Sequence, residues 1–187
     1  MTATPSTAPT PMPARARELI DRFQMERIPQ EGAWFAPTFR SDERVTIAGT
    51  SRYTGPRVAY SAIYCLQTRD DFSGLHRLAT DELWHFYDGS PIELLLLHPD
   101  GRGETLVLGR DLAAGQRPQR LVPRGVWQAS RPVGGADAWT FFGNTLAPGF
   151  EYADFEIGYR DELTARYPAF AEKIAELTRP EHARRPA

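Results

Sequence analysis

The chain has 187 residues, a formal net charge of −2 and a single cysteine. This length suits one domain, and the near-neutral charge provides no basic footprint for nucleic acid. Cys65 alone excludes an intrachain disulfide, and no segment has the spacing of a structural zinc site. No apolar run reaches membrane-spanning length and the start lacks the pattern of a secretion signal, so we expect a cytoplasmic protein without nucleic-acid or membrane partners.

The first predicted features are an arm and a helix. Residues 1–13 are mostly Pro, Thr and Ala, a composition that cannot offset the entropy lost on ordering, which predicts a disordered arm. Apolar side chains then recur at helical spacing, at Leu19, Ile20 and Phe23. This spacing predicts a short amphipathic helix that ends before Pro29.

The central part of the chain has the pattern of short strands. Runs rich in Val, Ile, Thr and aromatic residues alternate with clusters of Gly, Pro and Asp. The segments predicted as strands are 34–40, 57–66, 74–78, 82–87, 92–98, 104–108, 119–122, 126–129, 138–145 and 150–156. This number and spacing of strands predict an all-β, mostly antiparallel sandwich or barrel.

The last predicted helix lies near the C-terminus. Pro168 suits a first helical turn, and apolar residues follow at helical offsets, at Phe170, Ile174 and Leu177. We expect one domain over 14–178 with a flanking helix near each terminus. Residues 179–187 are expected to form a frayed tail with His182 in solvent.

Residues 72–89 contain two of the four histidines among acidic and aromatic side chains. Strand alternation separates them into two sets: His76, Leu78, Glu82, Trp84 and Phe86, against Leu75, Arg77, Leu83, His85 and Tyr87. Both sets contain apolar residues, so periodicity alone does not choose the inner face. If His76 and Glu82 face inward together, they form the outline of a general acid–base pair; otherwise they are surface groups or structural hydrogen-bond partners.

The spacing of His76, Glu82 and Gly89 resembles the first motif of the cupin superfamily, with Leu78 in place of its second histidine. The downstream "PRGVWQ" resembles the second motif, where Gln128 replaces the final histidine. A fuller likeness is to an uncharacterised single-domain cupin family that is similar in fold to sugar-nucleotide (dTDP-4-keto-6-deoxysugar) epimerases. The segments that show this likeness are "EGAWFAPTFRS", "SAIYCL", "DELWHFYDGSPIELLLL", "VPRGVWQA" and "LAPGFEYADFE".

The resemblance implies a jelly-roll barrel and a homodimer, and exposed edge strands with apolar outer faces also favour a dimer. Several positions depart from the usual text of the family. Ala36 and Pro37 stand where an Arg and a Glu are common, Leu75 where a tryptophan is frequent, and Asn144 where a cysteine often occurs. A pocket changed in this way fits either a specialised substrate or neutral drift.

Metal-binding cupins hold their ion largely through three histidines and the glutamate of the two motifs, and two of those histidines are absent here. The remaining candidates are His76, Glu82 and Gln128, and an amide oxygen replaces imidazole poorly at a transition metal. We therefore expect no cofactor. A weak divalent-metal site formed by these three residues is the alternative.

The sequence therefore favours a metal-independent acid/base enzyme, like an isomerase, epimerase or cyclase, acting on a carbonyl-bearing metabolite inside the barrel. His76 would transfer the proton, and Glu82 would set its tautomer and charge; "GLH" at 74–76 also resembles the segment of the epimerases that carries their base. The predicted substrate contacts are Tyr64, Trp84, Gln128, Phe142 and Asn144. Two alternatives stay open: a non-catalytic module that binds a sugar, nucleotide or metabolite, and a metal-dependent oxygenase or hydrolase.

Overall fold

Strands occupy most of the chain between residues 26 and 157 in a computed structural model that describes residues 12–50 and 52–186. The strands are β1 (Glu26–Arg27), β2 (Trp34–Arg40), β3 (Arg44–Val45), β4 (Arg57–Val58), β5 (Ser61–Thr68), β6 (Ser73–Leu78), β7 (Glu82–Gly89), β8 (Ile92–Leu97), β9 (Gly103–Leu108), β10 (Gln119–Val122), β11 (Trp127–Pro132), β12 (Trp139–Leu146) and β13 (Phe155–Ile157). The helices are α1 (Ala14–Phe23), α2 (Arg160–Arg166) and α3 (Ala171–Glu176), with 3₁₀ turns at Tyr152–Asp154, Pro168–Phe170 and Pro180–His182.

Two antiparallel sheets face each other. One has six strands in the order β1-β2-β5-β12-β7-β10, and the other has five in the order β13-β6-β11-β8-β9. From β5 to β8 the chain passes from one sheet to the other at each successive strand, so strands distant in sequence become neighbours, as in β5 with β12. This is the jelly-roll arrangement. The predicted all-β class and antiparallel jelly-roll are confirmed.

The space between the sheets contains an apolar cluster. It combines side chains from both sheets: Cys65, Trp84, Phe86, Ile92, Leu94, Leu96, Leu108, Val122, Val126 and Phe142. Successive side chains of a strand point to opposite faces, so Leu94 and Leu96 enter this cluster while Leu95 and Leu97 face outward. The outward pair is also buried, because helices cover that side. This double burial explains the unbroken run of leucines in β8.

Helices cover both outer faces. On the six-stranded sheet, α1 buries Ala16, Leu19 and Ile20 against Ala36 and Leu66. On the five-stranded sheet, α2, α3 and the residue directly after each of them bury four side chains, at Leu163, Tyr167, Ile174 and Leu177. The predicted helix near each terminus is therefore confirmed. Among the residues that the structure describes, no helix has both the length and the apolar character needed to cross a bilayer.

Several boundaries differ from the sequence-based prediction. The single strand expected over 57–66 is divided into two strands. β4 pairs with β3 in a small two-stranded sheet, and β5 belongs to the six-stranded sheet. The helix expected from Pro168 is a 3₁₀ turn followed by the shorter α3. No apolar periodicity predicts α2, because Leu163 is its only buried side chain and charged residues occupy most of the rest.

The two ends of the chain were predicted to be irregular. The arm expected over 1–13 lies outside the described residues, except for Met12 and Pro13. In the segment expected to fray, most of residues 179–186 are exposed, but several of them contact the domain. Arg179 donates hydrogen bonds to two backbone carbonyls, Arg185 pairs with Glu162, and the half-buried His182 lies edge-on to Tyr159. Composition predicted fraying because it does not record these long-range contacts.

Candidate functional site

A cavity of about 170 Å³ lies between the two sheets. Most of its lining is apolar or aromatic, and the exposed rings of Phe39 and Tyr152 lie at its open side. Its lining residues with hydrogen-bonding or charged side chains are Glu31, Arg40, Ser61, His76, Glu82, Trp84, Asn144 and Tyr152. An engineered cavity of about 150 Å³ accepts benzene, so the space suits a molecule of about one ring.

Strand alternation places the predicted residues on its wall. In β6, His76 and Leu78 face the cavity, while Leu75 packs under the C-terminal helices. In β7, Glu82 and Trp84 also face inward, while His85 bonds to Thr145 on the outer side. The structure therefore brings His76 and Glu82 to the same interior space.

Adjacent strands add the remaining polar groups. Directly paired residues in neighbouring strands lie on the same face of a sheet, and the register pairs Gln128 with His76 and Asn144 with Trp84. Asn144 lines the cavity, and its buried amide nitrogen has no hydrogen-bond partner among the described residues. A buried N–H group without an acceptor is costly, so this nitrogen favours an acceptor atom on a bound molecule.

A backbone carbonyl fixes the His76 ring. Nδ1 lies 2.9 Å from the carbonyl oxygen of Gly74, and since a carbonyl only accepts, Nδ1 carries the proton and donates. In the neutral ring, Nε2 is then the acceptor. It lies 4.0 Å from Oε2 of Glu31, and Phe155 stacks on the ring at 5.5 Å between centroids. His76 is only 3% exposed, so bulk water hardly reaches this nitrogen.

Glu82 forms a different set of contacts from the predicted one. Its Oε2 accepts hydrogen bonds from Nε2 of Gln128 at 2.6 Å and from Nε1 of Trp84 at 3.1 Å. The expectation that Glu82 sets the tautomer of His76 is corrected, because the Gly74 carbonyl occupies Nδ1 and Glu31 is the carboxylate beside Nε2. Gln128 acts behind Glu82 and is absent from the cavity lining.

Burial changes the acidity of Glu82. Desolvation of the carboxylate is the main cause that raises its pKa to about 7, and the negative charge of Glu31 adds to the effect. His76 and the hydrogen bonds from Gln128 and Trp84 oppose this rise without cancelling it. A carboxyl group that titrates near neutrality can either donate or accept a proton at physiological pH.

Glu31 is the site residue that sequence reasoning missed. It lies between β1 and β2; its Oε1 accepts a hydrogen bond from the Ser73 hydroxyl, and its backbone carbonyl accepts one from the Gly74 amide at 2.9 Å. The next residue, Gly32, has φ of +91°, which only glycine adopts readily. The glycine was visible in the sequence, but no spacing rule connects position 31 with position 76.

Trp84 and Phe142 form the aromatic part of the wall. Their rings stack nearly parallel, with centroids 4.7 Å apart and 7° between planes. Tyr64 does not join them, which corrects its predicted role in substrate contact. Its neighbours Ile63 and Cys65 line the cavity, so alternation points Tyr64 outward, where it packs on Phe23 of α1.

The donor set does not fit a transition metal. Within residues 12–50 and 52–186, no group of three or more His, Cys, Asp or Glu side chains is arranged to hold an ion. Leu78 occupies the cavity wall where the cupin motif places its second histidine. The amide of Gln128 is already engaged with Glu82 and Trp84, so the weak site proposed for His76, Glu82 and Gln128 lacks a third available ligand.

A family comparison agrees with this architecture. The sequence model of DUF985, a family of the cupin superfamily, matches residues 17–158. The chain belongs to this family. The matched region of this DUF985 protein contains both sheets and all the cavity residues described above, and it ends before α2. The expected membership of an uncharacterised cupin family is confirmed.

Individual relatives of this cupin are similar over most of their length. The uncharacterised protein YML079W of Saccharomyces cerevisiae is 29% identical over 174 residues, which cover 88% of this chain and 85% of the yeast protein. A solved structure of SO0799 from Shewanella oneidensis has a TM-score of 0.76 and 33% identity, covering 88% of this chain and 98% of that one. A hypothetical protein from Leishmania major has a TM-score of 0.76 and 29% identity, with 87% and 98% coverage.

Proposed function

We propose that this cupin is a metal-independent acid/base enzyme, like an isomerase, epimerase or cyclase, that acts on a small carbonyl-bearing metabolite inside the barrel. One observation carries the proposal: a buried imidazole with its acceptor nitrogen beside Glu31 shares a cavity with a carboxyl group whose pKa is about 7. Groups with perturbed pKa values that converge in a cavity are typical of catalytic sites.

The chemistry begins with proton removal by His76. Its Nε2 takes a proton from the carbon next to the carbonyl of the substrate, and the electron pair of the C–H bond moves to form the enol. Glu31 stabilises the resulting imidazolium, since its Oε2 lies 4.0 Å from Nε2. Glu82, in its protonated form, donates its proton to the developing enolate oxygen. The imidazolium of His76 then gives its proton to the neighbouring carbon while an enol hydroxyl returns a proton to Glu82, which completes an isomerisation and restores both groups.

The surroundings support such a step. The apolar wall of Trp84, Phe142 and Phe155 keeps water away from the reacting atoms, and charge interactions are stronger in a water-poor space. The Gly74 carbonyl keeps Nδ1 protonated, so the ring does not need to change tautomer before it accepts a proton at Nε2. Trp84 and Gln128 stabilise the ionised form of Glu82 after it has given its proton away.

The test is deuterium incorporation from heavy water. The protein is incubated in D₂O with a library of small aldehydes, ketones and keto sugars, and mass spectrometry detects the addition of a deuteron to carbon. We expect His76→Gln to slow incorporation by about 100-fold or more, the contribution typical of general acid–base catalysis. Glu172→Gln, at an exposed position on α3, is the matched control and should exchange like the wild type.

The same compound library, combined with a measurement of the melting temperature of the protein, discriminates between an enzyme and a non-catalytic binding module. A compound that raises the melting temperature but acquires no deuterium and changes neither mass nor stereochemistry supports the binding module. Exchange that continues unchanged in His76→Gln contradicts the proposed base.

A further inference from the structure

The cavity has an uneven charge distribution. Its inner polar part contains Glu31, His76 and Glu82, two carboxyl groups and one imidazole. The one Lys or Arg side chain among the described lining residues is Arg40. That guanidinium is half exposed, donates to the Phe150 carbonyl at 2.8 Å and lies 3.3 Å from the Glu151 carboxylate. A positive charge therefore stands at the open side and not beside the two inner carboxyl groups.

The hydrogen-bonding groups of the inner part that have no partner among the described residues are mostly acceptors, with one donor. Oε2 of Glu31 and the second oxygen of Glu82 accept no hydrogen bond from a described residue, so both can accept from a guest. The buried amide nitrogen of Asn144 is the complementary group, a donor without an acceptor. A guest that presents both an N–H or O–H donor and a carbonyl-type acceptor satisfies all three groups.

From this geometry we infer that the inserted end of the ligand is uncharged or cationic, carries a hydrogen-bond donor beside a carbonyl-type acceptor, and is never a phosphate or carboxylate. An anion would lose its hydration in a water-poor space beside Glu31 and the ionised fraction of Glu82, without a cation to replace that hydration. The inference rests on the proposed function in one respect: both place the ligand in the same cavity. It narrows the substrate class to compact hydroxy- or amino-carbonyl compounds, with any anionic group left outside, near Arg40.

The test uses three ring-sized probes of nearly identical shape and different charge: benzamide, benzoate and benzamidinium. Each is titrated into the full-length protein at pH 7.5, and ¹H–¹⁵N correlation spectra follow the backbone amides of cavity residues such as His76 and Asn144. We expect benzamide and benzamidinium to bind there. Benzoate should bind at least about tenfold more weakly than benzamide, because like charges repel strongly at low effective dielectric.

Two variants assign the discrimination to the cavity. In Glu31→Gln the ratio of benzamide to benzoate affinity should fall at least about threefold, since one inner charge is removed and the side chain keeps its shape. Glu172→Gln, with the same change at the surface, should keep the wild-type ratio. Equal or tighter binding of benzoate, an unchanged ratio in Glu31→Gln, or binding of none of the probes overturns the inference.

The result is separable from the test of catalysis. If the charge order holds and no carbonyl compound exchanges deuterium, the ligand class stands and the proposed reaction fails. If exchange occurs but benzoate is the best probe, the reaction stands and the ligand class fails.

Discussion

Position 82 illustrates how burial of a single side chain changes its chemistry. The carboxyl group is only 7% exposed and has no Lys or Arg partner among the described residues, and its burial raises the native pKa to about 7, above the ordinary value of 4.5. The native state therefore binds a proton more tightly than the unfolded state. The stability due to this group is fully present below the unfolded pKa and is lost as the pH rises through about 7.

This linkage predicts the effect of Glu82→Gln, which removes the titration. Between pH 4.5 and 8, the wild type should lose up to about 3 kcal/mol of unfolding free energy relative to the variant, the size expected for a shift of this magnitude. Urea denaturation at a series of pH values measures the difference. Parallel pH profiles for the two proteins would contradict the buried, protonated state of Glu82, and Glu172→Gln controls for the loss of a surface charge.

At the scale of elements, the site depends on how the segment before β2 is fixed to the edge of β6. Arg179, in the C-terminal segment, donates to the carbonyls of Glu31 and Phe72 and stacks on the Phe72 ring at 4.3 Å. A Cβ atom on Gly32 would lie 1.9 Å from this guanidinium, so glycine makes the approach possible. By holding the backbone of Glu31, Arg179 helps to position the Glu31 carboxylate, although the two residues lie 148 positions apart in the sequence.

Arg179→Met tests this positioning role. It retains an apolar stem but leaves the Phe72 carbonyl without its donor and removes one of the two donors to the Glu31 carbonyl, so we expect a loss of about 1–3 kcal/mol in stability. Hydrogen–deuterium exchange should accelerate in residues 28–33, and deuterium incorporation into substrate should slow. Arg185→Met is the matched control, because it removes an exposed pair with Glu162 in the same segment. Equal protection of residues 28–33 in the two variants would show that Arg179 has no such role.

The sequence predicted the features that depend on local alternation. His76, Glu82 and Trp84 were placed in one set by their spacing, and the structure puts that set on the inner wall. Tyr64 was assigned to the cavity because composition does not show which residues of β5 point inward and which point outward. Glu31 and Arg179 were missed for a different reason: their roles come from contacts between distant segments, which leave no periodic signal.

At the scale of the whole molecule, the outer surface of the six-stranded sheet is only partly covered by α1. Leu121 is 54% exposed and Tyr87 is 43% exposed, and β10 is an edge strand of that sheet. Exposed apolar groups beside an open strand edge are typical of an association surface. We propose that a second copy of the chain covers this face.

Light scattering tests the association. We expect a particle of about twice the 21.0 kDa mass of the chain for the wild type, and a shift towards the single-chain mass in Leu121→Glu, which places a charge on the apolar surface. Leu112→Glu, at an exposed position outside the sheets, is the control. A wild-type particle of single-chain mass contradicts the proposal.

The proposed chemistry depends most on His76, whose buried imidazole is protonated on Nδ1 and presents Nε2 to the interior of the barrel. Nitrogen-15 spectroscopy of histidine-labelled protein measures this directly, because protonated and unprotonated ring nitrogens resonate separately, and His76→Gln assigns the signals. We expect neutral His76 to carry its proton on Nδ1, and its Nε2 signal to shift when benzamide is added. A proton on Nε2 in the neutral ring, or a signal that does not respond to benzamide, would contradict this expectation.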